Sequence, residues 1–310
     1  MRILSEQDVL RISISVTFSI ALLGVVFGLI SGSHSIIFEG IYSMIDAVIT
    51  SVALLVTNLI TNSTVLDKPK RKLEERFTMG FWHLEPIVLG LNGVLLLGAS
   101  VYALINAMGS FLTGGRDLVF THAIVYTAIT ALICFCMVLI ERHLNKRISS
   151  EFLELDAKAW LMSGLISTAL LVAFGSGSLI RGTKLQWVSP YIDPAALALV
   201  CFIIIPLPLA TIKRALADIL LITPAALKAH VDSVATETAE RYCFTAFRSY
   251  VARVGRGTQI ELYFVIPRGR PPKRLEEWDE LRDEIGQAIG NDTPNRWLTI
   301  VFTTDSEWAE

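Results

Sequence analysis

The sequence predicts an α-helical membrane protein, a bundle of six transmembrane helices followed by a small α+β domain in the order α-β-β-α-β. Three observations carry this. The 310 residues are 53% hydrophobic and only 18% charged, with a mean hydropathy of +0.54, whereas a soluble domain carries about 25% charge. The apolar excess stops near residue 212, and the remainder has the composition of an ordinary polar domain. Before that point lie six apolar stretches, each meeting the requirement of about 20 residues for a crossing.

The predicted spans are 10–30, 35–60, 82–108, 119–141, 153–179 and 188–212. The first could be taken for a signal peptide. However, Glu6 and Asp8 interrupt its basic region, the apolar run is long and no good cleavage site follows. The fifth opens with Glu154, Asp156 and Lys158 before becoming apolar. An even number of spans puts both termini on one side, and basic residues decide which. Arg2, Arg11, Lys68, Lys70, Arg71, Lys72, Arg76, Arg142, Lys146, Arg147, Lys213 and Arg214 fall on one face, against Arg116, Arg181 and Lys184 on the other. This bias places the termini in the cytoplasm. The loop 61–81 is read as an inside loop; contact with anionic headgroups is the other reading.

After Asp218 the apolar spacing changes, and the domains are read as 1–216 and 217–310. Residues 224–243 read as an amphipathic helix opened by Pro224. Residues 248–266 form two alternating runs around Gly255-Arg256-Gly257, a hairpin. Residues 270–290 form a second helix with Leu275, Trp278, Leu281 and Ile285 on one face, and 296–304 a third strand. One sheet covered by two helices follows, with a core small enough to favour pairing with a second copy. His230 reads as a solvated helix residue. The net charge of −2 gives no basic footprint for nucleic acid. Cys134, Cys136, Cys201 and Cys243 contain no CxxC pair, the first three lie in apolar runs, and they read as buried thiols acting as small hydrophobes. No phosphate loop, nucleophile elbow or Cys/His cluster suggests an enzyme.

The functional signal lies in polar residues within the spans, where a carboxylate is costly. In span two Glu39, Tyr42 and Asp46 stand at i, i+3 and i+7, on one helix face, with Ser43 at its edge. Asp156, Ala159 and Ser163 repeat that spacing in span five, with Ser167 a turn deeper. Asp193, before Pro194, is placed to cap the start of span six. His83 and Glu85 sit at the cytoplasmic edge of span three, placed for a gating or structural contact, and Asn92 lies deeper. Carboxylate, phenol and hydroxyl are hard donors that suit Mg²⁺ or Mn²⁺, while Zn²⁺ and Cu⁺ favour imidazole and thiolate.

With these residues in this order the chain resembles the cation diffusion facilitator family. Glu39-Gly40-Ile41-Tyr42-Ser43-Met44-Ile45-Asp46 is similar to that family's span-two pattern. Gly80-Phe81-Trp82-His83-Leu84-Glu85-Pro86 is similar to its opening of span three, and Asp193-Pro194 to that of span six. The resemblance implies a homodimer in a bacterial inner membrane that exports divalent cations against inward proton flow. It also implies a metallochaperone-like, ferredoxin-like tail that dimerises and often binds regulatory metal. The family's four transport ligands fall on Tyr42, Asp46, Ala159 and Ser163, of which only Asp46 is a strong ligand. The expected metal set is therefore Asp46, Tyr42, Glu39, Asp156 and Ser163, with Asp193, Glu85 and His83 as structural or gating residues. The cargo would be Mn²⁺, Fe²⁺, Mg²⁺, Co²⁺ or Zn²⁺. A non-transporting partner or sensor, and a transporter of another cation, are the alternatives.

Overall fold

Uninterrupted apolar runs, with no proline beyond a first turn, account for five long helices. They are α1 (Glu6–Ser31), α2 (His34–Ser63), α3 (Leu84–Leu112), α4 (Phe120–Ile148) and α5 (Glu151–Ile180). The computed structural model describes residues 6–63, 81–148, 151–293 and 295–309. A helix pairs its backbone groups internally, which a bilayer interior demands. The sixth span is in two pieces. After a 3-10 segment at Gln186–Tyr191 come α6 (Ile192–Ile204) and α7 (Pro206–Ile219). Pro206 supplies no N–H to the preceding turn, so the helix breaks there.

Among the described residues six segments are long and apolar enough to cross a membrane, namely Asp8–Ser31, His34–Val56, Leu84–Leu112, Phe120–Lys146, Asp156–Ile180 and Gln186–Ile219. They fall where the hydropathy placed them. Their outer faces expose Leu139, Val172, Leu179 and Phe202, side chains suited to a hydrocarbon solvent. Arg2, Gly80 and the basic stretch Lys68–Arg76 lie outside the described residues.

The chain divides into two compact units, the described residues of Met1–Val52 with Leu91–Thr211, and those of Ala53–Gly90 with Ile212–Glu310. In the first, Ile36, Phe38, Phe120, Tyr126, Phe174 and Leu197 build a core from α2, α4, α5 and α6. Consecutive α4 and α5 pack along their lengths as a helical hairpin. Helix α1 meets α2 through small residues. A Cβ on Gly40 would lie 2.7 Å from the Val25 nitrogen and 2.8 Å from the Ala21 carbonyl oxygen, while one on Gly24 would meet the Tyr126 hydroxyl at 2.5 Å. Such close backbone approach is how membrane helices gain packing without a hydrophobic drive. Because the obstacles at Gly40 are backbone atoms, Gly40→Ala should cost about 1–3 kcal/mol. A lowered melting temperature in detergent is the expected result; an unchanged melt would show that α1 can move aside.

The second unit contains α8 (Ala225–Arg241), β1 (Ala246–Val254), β2 (Gly257–Val265), α9 (Leu275–Ile289) and β3 (Arg296–Thr303), the order the sequence predicts. Helix α9 starts after the two prolines at 271–272, with the Glu277 carboxylate accepting the Arg274 N–H. Strand β2 is central, antiparallel to β1 (Val251 opposite Ile260) and parallel to β3 (Leu262 opposite Ile300). Its alternation sends Ile260, Leu262 and Phe264 into a core with Val231, Ala235, Leu281 and Ile285 of the two helices. Gln259, Glu261 and Tyr263 take the other face. His230 is not purely solvated, as its Nε2 lies 3.1 Å from the Ile289 carbonyl oxygen.

Candidate functional site

The start of α2 is fixed by a distant acid. Asp193, 2% exposed, accepts the Ser33 hydroxyl at 2.6 Å, the His34 N–H at 3.0 Å and the Ser35 N–H at 3.2 Å. The Ser35 hydroxyl donates back to the Asp193 carbonyl oxygen at 3.0 Å. The expectation that Asp193 caps its own helix is corrected, since no side-chain bond caps α6. The carboxylate instead supplies acceptors, and negative charge, to the unsatisfied first N–H groups of α2.

With α2 held in this way, its polar face opens onto a cavity of about 110 Å³. Glu39, Tyr42, Ser43 and Asp46 of α2 and Asp156, Ala159, Trp160 and Ser163 of α5 line it, with Thr17 of α1 and Thr130 and Cys134 of α4. The i, i+3, i+7 spacing thus brings all five sequence-selected metal candidates, Glu39, Tyr42, Asp46, Asp156 and Ser163, to one wall-to-wall space.

They are not at one level. Glu39 accepts the Ser167 hydroxyl at 2.5 Å, whereas Asp46 is close enough to Asp156 for their charges to interact. Residue numbers rise along α2 as they fall along α5, so the two helices run in opposite senses. An equal offset from the family positions therefore carries Glu39 and Asp156 towards opposite ends of the cavity. Asp46 also accepts the Asn92 side-chain amide at 3.2 Å. Among the described residues no three His, Cys, Asp or Glu side chains converge closely enough to hold a metal ion.

Spacing gave no sign of Glu141, at the far end of α4. It is fully buried and faces Asp156. Glu141 is the last residue of the predicted span 119–141 and precedes Arg142, so its signal in the sequence is an acid at the end of an apolar run.

In the second unit, Glu85 forms a two-pronged ion pair with Arg256 at the hairpin tip. Arg256 donates from Nε to Oε2 at 2.9 Å, from Nη2 to Oε1 at 3.1 Å and from its backbone N–H to Oε2 at 3.1 Å. A second pair joins Arg253 to Asp218 at 2.9 Å. The hairpin approaches Trp82 so closely that a Cβ on Gly257 would lie 2.4 Å from the indole, and Gly255 turns at φ +60°. His83 lines a cavity of about 330 Å³ beside Trp82, Pro86 and Trp297.

An acid-lined cavity inside a bundle of six apolar helices defines the class, a multi-pass membrane transporter of cations. The sequence match narrows this. The family model described as the cation efflux transmembrane domain matches residues 10–220, most of the chain. The chain belongs to the cation efflux, or cation diffusion facilitator, family, whose members are transporters and not enzymes. No curated protein matches it.

Proposed function

We propose that this protein exports a divalent metal cation in exchange for protons, and that Glu39, Tyr42, Asp46, Asp156 and Ser163 are the groups the cation meets. The observation that supports this reading is their meeting in one cavity. Metal binding requires deprotonated carboxylates. Binding from one side therefore displaces protons, and protonation from the other drives the metal off. Because the acids are spread along the cavity, capture would draw α2 and α5 together, with Asn92 and Ser167 yielding Asp46 and Glu39 to the cation. Alternating access is then the rocking of these helices about the cavity. The five proposed groups offer only oxygen, which favours Mn²⁺, Fe²⁺ or Mg²⁺ over Zn²⁺, with the Cys134 thiol in the same wall as a soft donor outside that set. Proteoliposomes assayed for proton flux against Zn²⁺, Mn²⁺, Fe²⁺, Co²⁺ and Mg²⁺ test this. The expected result is faster flux with Mn²⁺ than with Zn²⁺ under matched gradients; the reverse order would defeat the ligand-softness argument.

The proposal divides the chain at residue 216 into a membrane part and a cytoplasmic part that pairs two copies, in a bacterial inner membrane with both termini inside. Glu85, with Arg256, and His83 act as a structural joint. Single cysteines at 32, 114 and 185 should label from outside intact cells, and those at 145 and 305 only after permeabilisation. Outside labelling at 305 would reverse the topology. Ala159, at a family ligand position, favours a second reading as a sensor or partner, which predicts metal binding without flux.

A further inference from the structure

Glu141 is the most completely enclosed unpaired acid among the described residues of the first unit. It is 0% exposed, and neither of its carboxylate oxygens has a hydrogen-bond partner among the described residues. Asp156 of α5, Ser13 of α1 and Trp160 of α5 face it. The Oδ2 of Asp156 is likewise buried and without a partner. Ser13, 2% exposed, accepts the Trp160 indole N–H at 2.8 Å, which fixes its oxygen beside the two acids. Lys158, the nearest base in sequence to Asp156, is committed to Glu154 at 2.7 Å on an exposed surface.

A buried acid that serves only the fold is satisfied, as Asp193 is by three donors. Leaving a buried polar group unpaired costs free energy, and a carboxylate costs far more than a neutral group. Here two facing acids bury three carboxylate oxygens that make no hydrogen bond among the described residues, although the Ser13 hydroxyl and the Trp160 indole are turned towards Glu141. A positive charge between the acids would satisfy all three oxygens together. Two carboxylates suffice for a hard divalent cation that keeps several of its waters.

We propose that Glu141 and Asp156, with the Ser13 hydroxyl, form a second station for the transported divalent cation, between α1, α4 and α5. The proposal rests on the cation-transport reading above and extends it. Asp156 belongs to both places, lining the main cavity and facing Glu141, so a cation held here passes to Asp46 by exchanging one ligand at a time. Trp160 is a positioning residue that holds Ser13.

The test uses Mn²⁺ alone with the full chain. In anomalous diffraction from Mn²⁺-soaked crystals, a peak between Glu141 and Asp156 is expected; a peak confined to the Asp46 region overturns the station. In equilibrium Mn²⁺ binding followed by electron paramagnetic resonance, Glu141→Gln should weaken one site by about tenfold or more. Glu141→Gln and Asp156→Asn should combine to less than the product of their separate effects, because both act on one ion. A folded Glu141→Gln protein with parental Mn²⁺ binding would mean that the two acids share a proton and not a metal, and overturns the proposal. If that variant fails to fold, the diffraction peak on the parent decides. A parent that moves Mn²⁺ yet shows no ion at Glu141 overturns this inference alone. One that neither binds nor moves any divalent cation overturns both readings.

Discussion

Asp46→Asn is expected to reduce metal-driven proton flux to background while the protein remains folded. Asparagine nearly matches aspartate in volume, and its carbonyl oxygen can still accept the Asn92 amide that Asp46 accepts at 3.2 Å. The packing of α2 against α3 therefore has no reason to change. What disappears is the charge at the place where α2 faces Asp156, and with it both the attraction for a divalent cation and a group able to exchange its proton. Glu39→Gln and Asp156→Asn should each cause a large but incomplete loss, because each removes one acid from one end of the cavity. Detergent-corrected light scattering and thermal melting serve as controls for assembly. Parental flux in the Asp46→Asn protein, with metal transport demonstrated in the parent, would remove Asp46 from the mechanism.

The parts of the molecule that were legible in its sequence are those set by local periodicity. Runs of apolar residues gave the six spans, and the tail elements came from alternation in 248–266 and the helical spacing of Leu275, Trp278, Leu281 and Ile285. The stripe Glu39, Tyr42, Asp46 was legible because 3.6 residues per turn leave little choice about which positions share a face. Contacts between elements were not legible. Asp193 sits at the start of a helix and reads as its cap, yet its partners are about 160 residues away at the start of α2. The relative level of Glu39 and Asp156 depends on the opposite senses of two helices, which an offset counted along each alone does not contain. Glu141 was hidden by its neighbour Arg142, since an acid beside a base at a span edge reads as the water boundary. The break at Pro206 was visible as a residue but not as a division, because membrane helices also tolerate proline as a kink.

The contrast between Asp46 and Asp193 separates transport from folding. Both are acids in spans at motif positions, so composition and pattern treat them alike, but their surroundings do not. Asp46 borders a cavity and has one donor from a side chain. Asp193 is enclosed, with a hydroxyl and two backbone N–H groups directed at it and Ser35 bonded to its own carbonyl. Asp193→Ala would leave those donors unsatisfied in a buried site, which should cost about 3 kcal/mol or more. Asp193→Asn keeps one acceptor oxygen and should cost less, about 1–2 kcal/mol. The expected result is a graded fall in folded yield and melting temperature, Ala below Asn below parent. Flux per folded molecule in the Asn variant should stay near the parental value, because the ion never needs this carboxylate. An Asp193→Asn protein that melts like the parent but carries no metal-driven flux would reverse the assignment and place the start of α2 in the ion's path.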